Sequence, residues 1–222
     1  MPSPLRPIAR FFRNHLEIRM NPLMQTELTA GSIVDVDGLV DLDLYGELVD
    51  FGVEVPVVHS AVAAIPGIER TRSVNLVPSL SVPALGGTPL NAALSGRLQQ
   101  STAMSIGMTE VESRYIKQSL LAASIRDVVD SEGSKGALAS ALKLHHRRII
   151  WKEYWGKLNM TFMRAGDNGA SVALEVADVG GTEINGAWTW TSSATLESTQ
   201  PRLFALEMSR WSGPKGRLEP RS

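Results

Sequence analysis

The stretch SIVDVDGLVDLDLYGELVDFGVEVPV, residues 32–57, alternates aliphatic and acidic residues almost without interruption. Val34, Val36, Val40, Leu42 and Leu44 alternate with Asp35, Asp37, Asp41 and Asp43, and Gly38 separates the two D-x-D units. Successive strand residues point to opposite faces, so this period of two predicts strands with aliphatics on one face and carboxylates on the other. Phe51, Val53, Val55 and Val57 extend the pattern past Gly52 until Pro56 interrupts the ladder. Two chemistries suit the acidic face. A solvated edge strand uses charge to block unwanted pairing. A hard divalent cation needs clustered oxygens, which Asp35, Asp37, Asp41 and Asp43 would supply to a metal-dependent enzyme. The edge-strand reading is preferred.

Outward from this stretch the chain changes character. Residues 60–108 are rich in Ala, Pro, Gly and Ser, and Val74, Leu76, Leu80, Val82 and Leu85 suggest short strands. Thr109 and Glu112 have capping-box spacing, and Val111, Tyr115, Ile125 and Val129 follow at helical intervals up to Gly133. Ser134 is a candidate cap for a second helix running to about Trp155. A helical hairpin over about 109–155 is therefore expected. Strands are expected again at Asn159–Met163, Ser171–Val179, Ile184–Thr191 and Leu203–Arg210. The order of elements predicts a β-rich α+β fold, an antiparallel sandwich with a helical hairpin insertion. A basic flexible segment, 1–24, precedes a single globular domain, 25–211, and 212–222 reads as a flexible tail.

Charge is segregated. The 222 residues sum to a net charge of −1, yet Met20 to Ile68 holds eight acids and no Lys or Arg. Lys143 to Lys157 holds five bases and one acid. Such blocks pair within a fold, pair between subunits, or attract separate partners. The basic stretch also carries aromatics, so Lys143, His146, Arg147, Arg148, Trp151, Lys152 and Lys157 are the candidate nucleic-acid-binding residues. Cations meet phosphates and aromatics stack on unpaired bases. The same composition suits an anionic membrane surface, where Trp and Tyr sit at headgroup level. In the first 24 residues Leu5, Ile8, Phe12 and Leu16 fall at helical spacing among Arg6, Arg10 and Arg13, giving a possible membrane-surface segment.

Absences narrow the chemistry. There is no cysteine, which removes thiol nucleophiles, disulfides and cysteine zinc sites. No G-x-S-x-G is present, and Gly86-Gly87-Thr88 lacks the Lys of a phosphate loop. His145 and His146 are adjacent, so neither a helix nor a strand aims both at one metal. No apolar run is long enough to span a bilayer as a helix. A non-enzymatic binding or assembly protein without cofactor follows, homo-oligomeric, intracellular, and cytoplasmic or peripheral to a membrane.

Residues 171–191 read SVALEVADVGGTEINGAWTWT, an apolar strand closed by Asp178, a polar turn and a second strand. This segment resembles the central signature of plant-virus cell-to-cell movement proteins of the thirty-kilodalton superfamily. The resemblance implies single-stranded nucleic-acid binding and membrane association in a viral protein acting in a host cell, with Asp178 in a structural role. The alternative is a self-assembling viral capsid or matrix protein.

Overall fold

A computed structural model describes residues 13, 19–20, 27–37, 41–62, 72–75, 103–165, 171–173, 183–184, 188–192 and 195–220. The fold is β-rich α+β. Its strands join in one large antiparallel sheet.

The acidic stretch folds as expected into a hairpin, β2 (Ser32–Asp37) and β3 (Asp41–Glu47). Asp35 lies opposite Asp43, and Asp37 opposite Asp41. The chain then turns through a short 3-10 helix, Leu48–Phe51, closed by Gly52 at φ 76, a value that suits glycine. Residues 53–57 therefore leave the predicted strand, and β4 (His59–Val62) starts later.

The helical hairpin over 109–155 is corrected. Residues 103–115 form β6 (Ala103–Tyr115), following β5 (Arg72–Asn75). The two helices are shorter and later: α1 (Gln118–Glu132) and α2 (Ala137–Leu142). The basic-aromatic run is not helical either. It opens β7 (Arg147–Ala165), the long central strand of the sheet. Ile149, Ile150, Trp151, Tyr154 and Trp155 are β-branched or aromatic and favour a strand, which overrides the helical spacing of Leu138, Leu142, His145 and Ile149. Thr109 and Glu112 flank a bulge and cap no helix.

After β7 come β8 (Ser171–Ala173), β9 (Glu183–Ile184), β10 (Trp188–Ser192), β11 (Thr195–Ser198) and β12 (Arg202–Ser212). The tail is not frayed throughout: β13 (Arg217–Pro220) pairs with β12. Near the other terminus, β1 (Arg19–Met20) pairs with the same strand.

The core lies where α1 and α2 cover the first half of β7. Ile33, Leu48, Leu121, Ile125, Leu138, Leu142 and Ile149 bury together there, joined by Trp211 and Leu218 from the C-terminal hairpin. A second cluster joins Leu28, Val34, Leu42, Ile150, Leu203 and Leu206. Burial of such side chains contributes roughly 1.5–3 kcal/mol each. The Arg126 guanidinium donates to the Gly216 carbonyl and ties α1 to the C-terminal turn.

Candidate functional site

The cations singled out above lie on and beside β7, and carboxylates meet most of them. Asp35 receives both His146 Nε2 at 3.1 Å and Arg147 Nε at 3.0 Å. Arg147 also donates to the Ala141 carbonyl, and its Cζ lies 3.4 Å from the centre of the Tyr45 ring. Arg148 is buried and donates to the His145 and Arg147 carbonyls. Lys152 meets Glu207 at 3.2 Å and Lys157 meets Glu110 at 2.7 Å. Lys143 is exposed beyond the end of α2. Trp151 packs against the helix-covered core. The acidic and basic blocks of the sequence thus pair inside the fold, at Asp35, and the paired charges offset one another locally.

This clamp carries a stability prediction. The Arg147 side chain is only 11% exposed. Arg147→Ala is expected to destabilise the fold by about 2 kcal/mol, since a mostly buried charge pair and a ring contact are lost together. The urea midpoint checks this; an unchanged midpoint counts against it.

Asp35, Asp37, Asp41 and Asp43 sit on a two-stranded hairpin, and Asp35 is already engaged by Arg147 and His146. Among the described residues no group of three His, Asp or Glu side chains is arranged to hold a metal ion. Asp178 lies outside the described residues.

A second feature escaped the sequence reading. Beyond Lys157 the sheet continues in the strand order β5-β6-β7-β11-β10-β9, with β8 paired to the far end of β7. The registers pair Met104 with Phe162, Ile106 with Met160 and Met108 with Leu158. They also pair Val74 with Met104, Leu196 with Met160, and Trp190 with Leu196. By strict alternation these positions share one face. The opposite face takes Ser73, Ser105, Gly107, Asn159, Thr161, Thr189 and Thr195. Arg72, across from Ile106, and Arg164, next after Phe162 in the alternation, are charged exceptions on the apolar face, and Glu183 and Glu197 fall on the polar one. The signal was legible as Met104, Ile106 and Met108 alternating with Ser105 and Gly107. It ran into Thr109, where the helical pattern took over.

Between this outer half and the helix-covered inner half lies a band of aromatic and charged side chains. Arg114 Cζ sits 4.8 Å over the Trp155 ring, and the Trp155 indole donates to Glu153 at 2.7 Å. Lys152 Nζ lies 4.7 Å from the centre of the Tyr154 ring, and the Tyr154 hydroxyl donates to Glu207. Burial, and then that hydrogen bond, push the phenol's ionisation far above its ordinary value, so Tyr154 stays neutral.

No protein-family model matches the chain, and no curated protein sequence matches it. A solved structure does share its fold. The bacterial gasdermin from Bradyrhizobium tropiciagri superposes with a TM-score of 0.52 at 10% sequence identity. The alignment covers 96% of this chain and 88% of that one. At this identity the likeness is one of fold.

Proposed function

We propose that this chain is a non-enzymatic, gasdermin-like protein that assembles on a membrane and inserts the outer half of its sheet into the bilayer. One observation carries the reading: across the outer half one face is apolar apart from Arg72 and Arg164, and the other is mainly polar, with Glu183 and Glu197 its charges. That dyad pattern is what a membrane-spanning sheet requires, with one face toward lipid and one toward water. The span from Lys157 to Ala165 in β7 is nine residues, about 30 Å of strand, matching the hydrocarbon thickness.

Further features accord with it. Trp155, with Arg114 over its ring and Lys157 two positions on, lies at the base of the outer half, where an interfacial belt belongs. No described helix is long and apolar enough to cross a membrane. Among the described residues β5 pairs only with β6, and β9 only with β10. Lipid does not tolerate unpaired backbone, so an inserted edge strand needs a partner, which a strand of a further copy supplies in this reading. The Arg-rich stretch 1–24, with Leu5, Ile8, Phe12 and Leu16, suits surface attachment before insertion.

The test is dye release from vesicles of zwitterionic phospholipid, with and without an anionic phospholipid. Release that rises steeply with protein concentration supports assembly and insertion. Neither release nor co-sedimentation at micromolar protein would remove the reading.

A further inference from the structure

Two strands carry the sheet from its inner to its outer half. On one flank of the central pair, the described pairing of β4 with β6 reaches Glu112 and that of β5 starts at Ile106. On the other flank, β12 accompanies β7 as far as Gly156, and β11 takes over from Asn159. Among the described residues only β6 and β7 run through the boundary.

Both of those strands carry an irregularity there. β6 has a bulge between Thr109 and Glu112, and within it Glu110 has φ 54. This is a left-handed conformation that residues other than glycine rarely adopt, and among the described residues Glu110 alone does so. Opposite the bulge is Gly156. A Cβ there would stand 3.1 Å from both the Thr109 carbonyl oxygen and the Phe204 ring, so the strands approach closely at this point and a side chain would require them to give by a few tenths of an ångström. Phe204 itself lies in a bulge of β12, between Leu203 and Ala205. Three irregularities therefore line up across the sheet. Bulges bend the strand that carries them and increase its twist.

We propose that the line Glu110–Gly156–Phe204 is a hinge, about which the outer half-sheet turns relative to the helix-covered half, and that the Glu110–Lys157 ion pair is its clasp. Lys157 Nζ reaches Glu110 Oε1 at 2.7 Å from the first residue position beyond Gly156, so the pair ties the bulge of one strand to its neighbour. Turning about this line would re-aim the apolar face toward a bilayer without disturbing the core under α1 and α2. The inference rests on the membrane reading for its purpose, but the motion itself is measurable without lipid.

The chain has no cysteine, so introduced cysteines label cleanly. Spin labels at Leu120→Cys, exposed on α1, and Glu197→Cys, on β11, report the distance between the halves by pulsed dipolar spectroscopy. The full chain in buffer is expected to give one narrow distance. Lys157→Gln and Glu110→Gln each remove the clasp, and each should raise a second distance population about threefold, the effect expected of a partly exposed ion pair. Lys157→Arg, which keeps the pair, should restore the narrow distribution. If both Gln variants, shown folded by circular dichroism, superimpose on the parent in buffer, the hinge is overturned. The same follows if Lys157→Arg broadens the distribution as much as Lys157→Gln. These outcomes stand apart from vesicle leakage by the parent chain, which tests the membrane reading alone.

Discussion

Met104→Arg should lower the rate of vesicle dye release at least thirtyfold, whereas Ser105→Arg on the next residue should change it less than threefold. The two positions are adjacent in β6, so they lie on opposite faces of the outer half-sheet. Position 104 pairs with Phe162 on one side and Val74 on the other, in the middle of the apolar face. Position 105 pairs with Thr161 and Ser73 on the polar face. An arginine facing lipid near the bilayer centre costs about 2–4 kcal/mol, while the water-facing side of such a sheet accepts charge readily. A cost of that size in each inserted copy multiplies through an assembly. Release curves for both variants at matched membrane-bound protein provide the measurement. Equal rates for the two would mean that the alternation is not read by lipid, and insertion of this sheet would have to be given up.

The second large effect concerns a buried carboxylate in the centre of β7. Glu153 is 4% exposed and accepts hydrogen bonds from the Ala30 amide and from the Trp155 indole. It therefore fastens the turn before β2 to the central strand and sets the orientation of the tryptophan that carries Arg114 on its face. Glu153→Ala removes the acceptor and leaves two largely buried N–H donors without it. Each such group costs about 1–3 kcal/mol, and hydrogen bonds to a charged acceptor are the stronger kind. A loss of about 3–4 kcal/mol is expected in urea unfolding, accompanied by a red shift of the tryptophan emission. A loss below 1 kcal/mol would show that water replaces the carboxylate and that the turn needs no fastening.

Much of the architecture could be read directly from residue order. The Asp-and-aliphatic alternation of residues 32–47 places β2 and β3, and Leu203 to Arg210 lies within β12. Local patterns suffice there because one face is buried and the period of two is unbroken. Between residues 103 and 155 the same kind of reasoning led to helices that do not form. Thr109 and Glu112 have the spacing of a capping box, but their positions are set by the bulge facing Gly156 and by pairing with β7. Leu138, Leu142, His145 and Ile149 keep helical spacing across a chain that leaves α2 after Leu142 and enters a strand at Arg147. Propensity is a weak prior, and long-range ladders override it.

The candidate sites divide in the same way. The basic-aromatic run was visible as composition, but the carboxylates that meet it were not. Asp35, Glu207 and Glu110 are distant in sequence from Arg147, Lys152 and Lys157, and only the folded sheet brings each pair within 4 Å. The amphipathic outer half is hidden more deeply, because its apolar face is assembled from alternate residues of separate strands, and in β6 the alternation of Met104, Ile106 and Met108 runs straight into the helical spacing that starts at Thr109. By itself the order of residues determined that this protein is rich in antiparallel strands, lacks thiol chemistry and segregates its charges, since these follow from local periodicity and composition. Tertiary structure alone decided that Asp35 of the acidic block meets the basic run, that the basic run reaches the boundary between two half-sheets, and that the apolar alternation of separate strands falls in register. Register across a sheet is a relation between distant residues, and it exists only once the strands have paired.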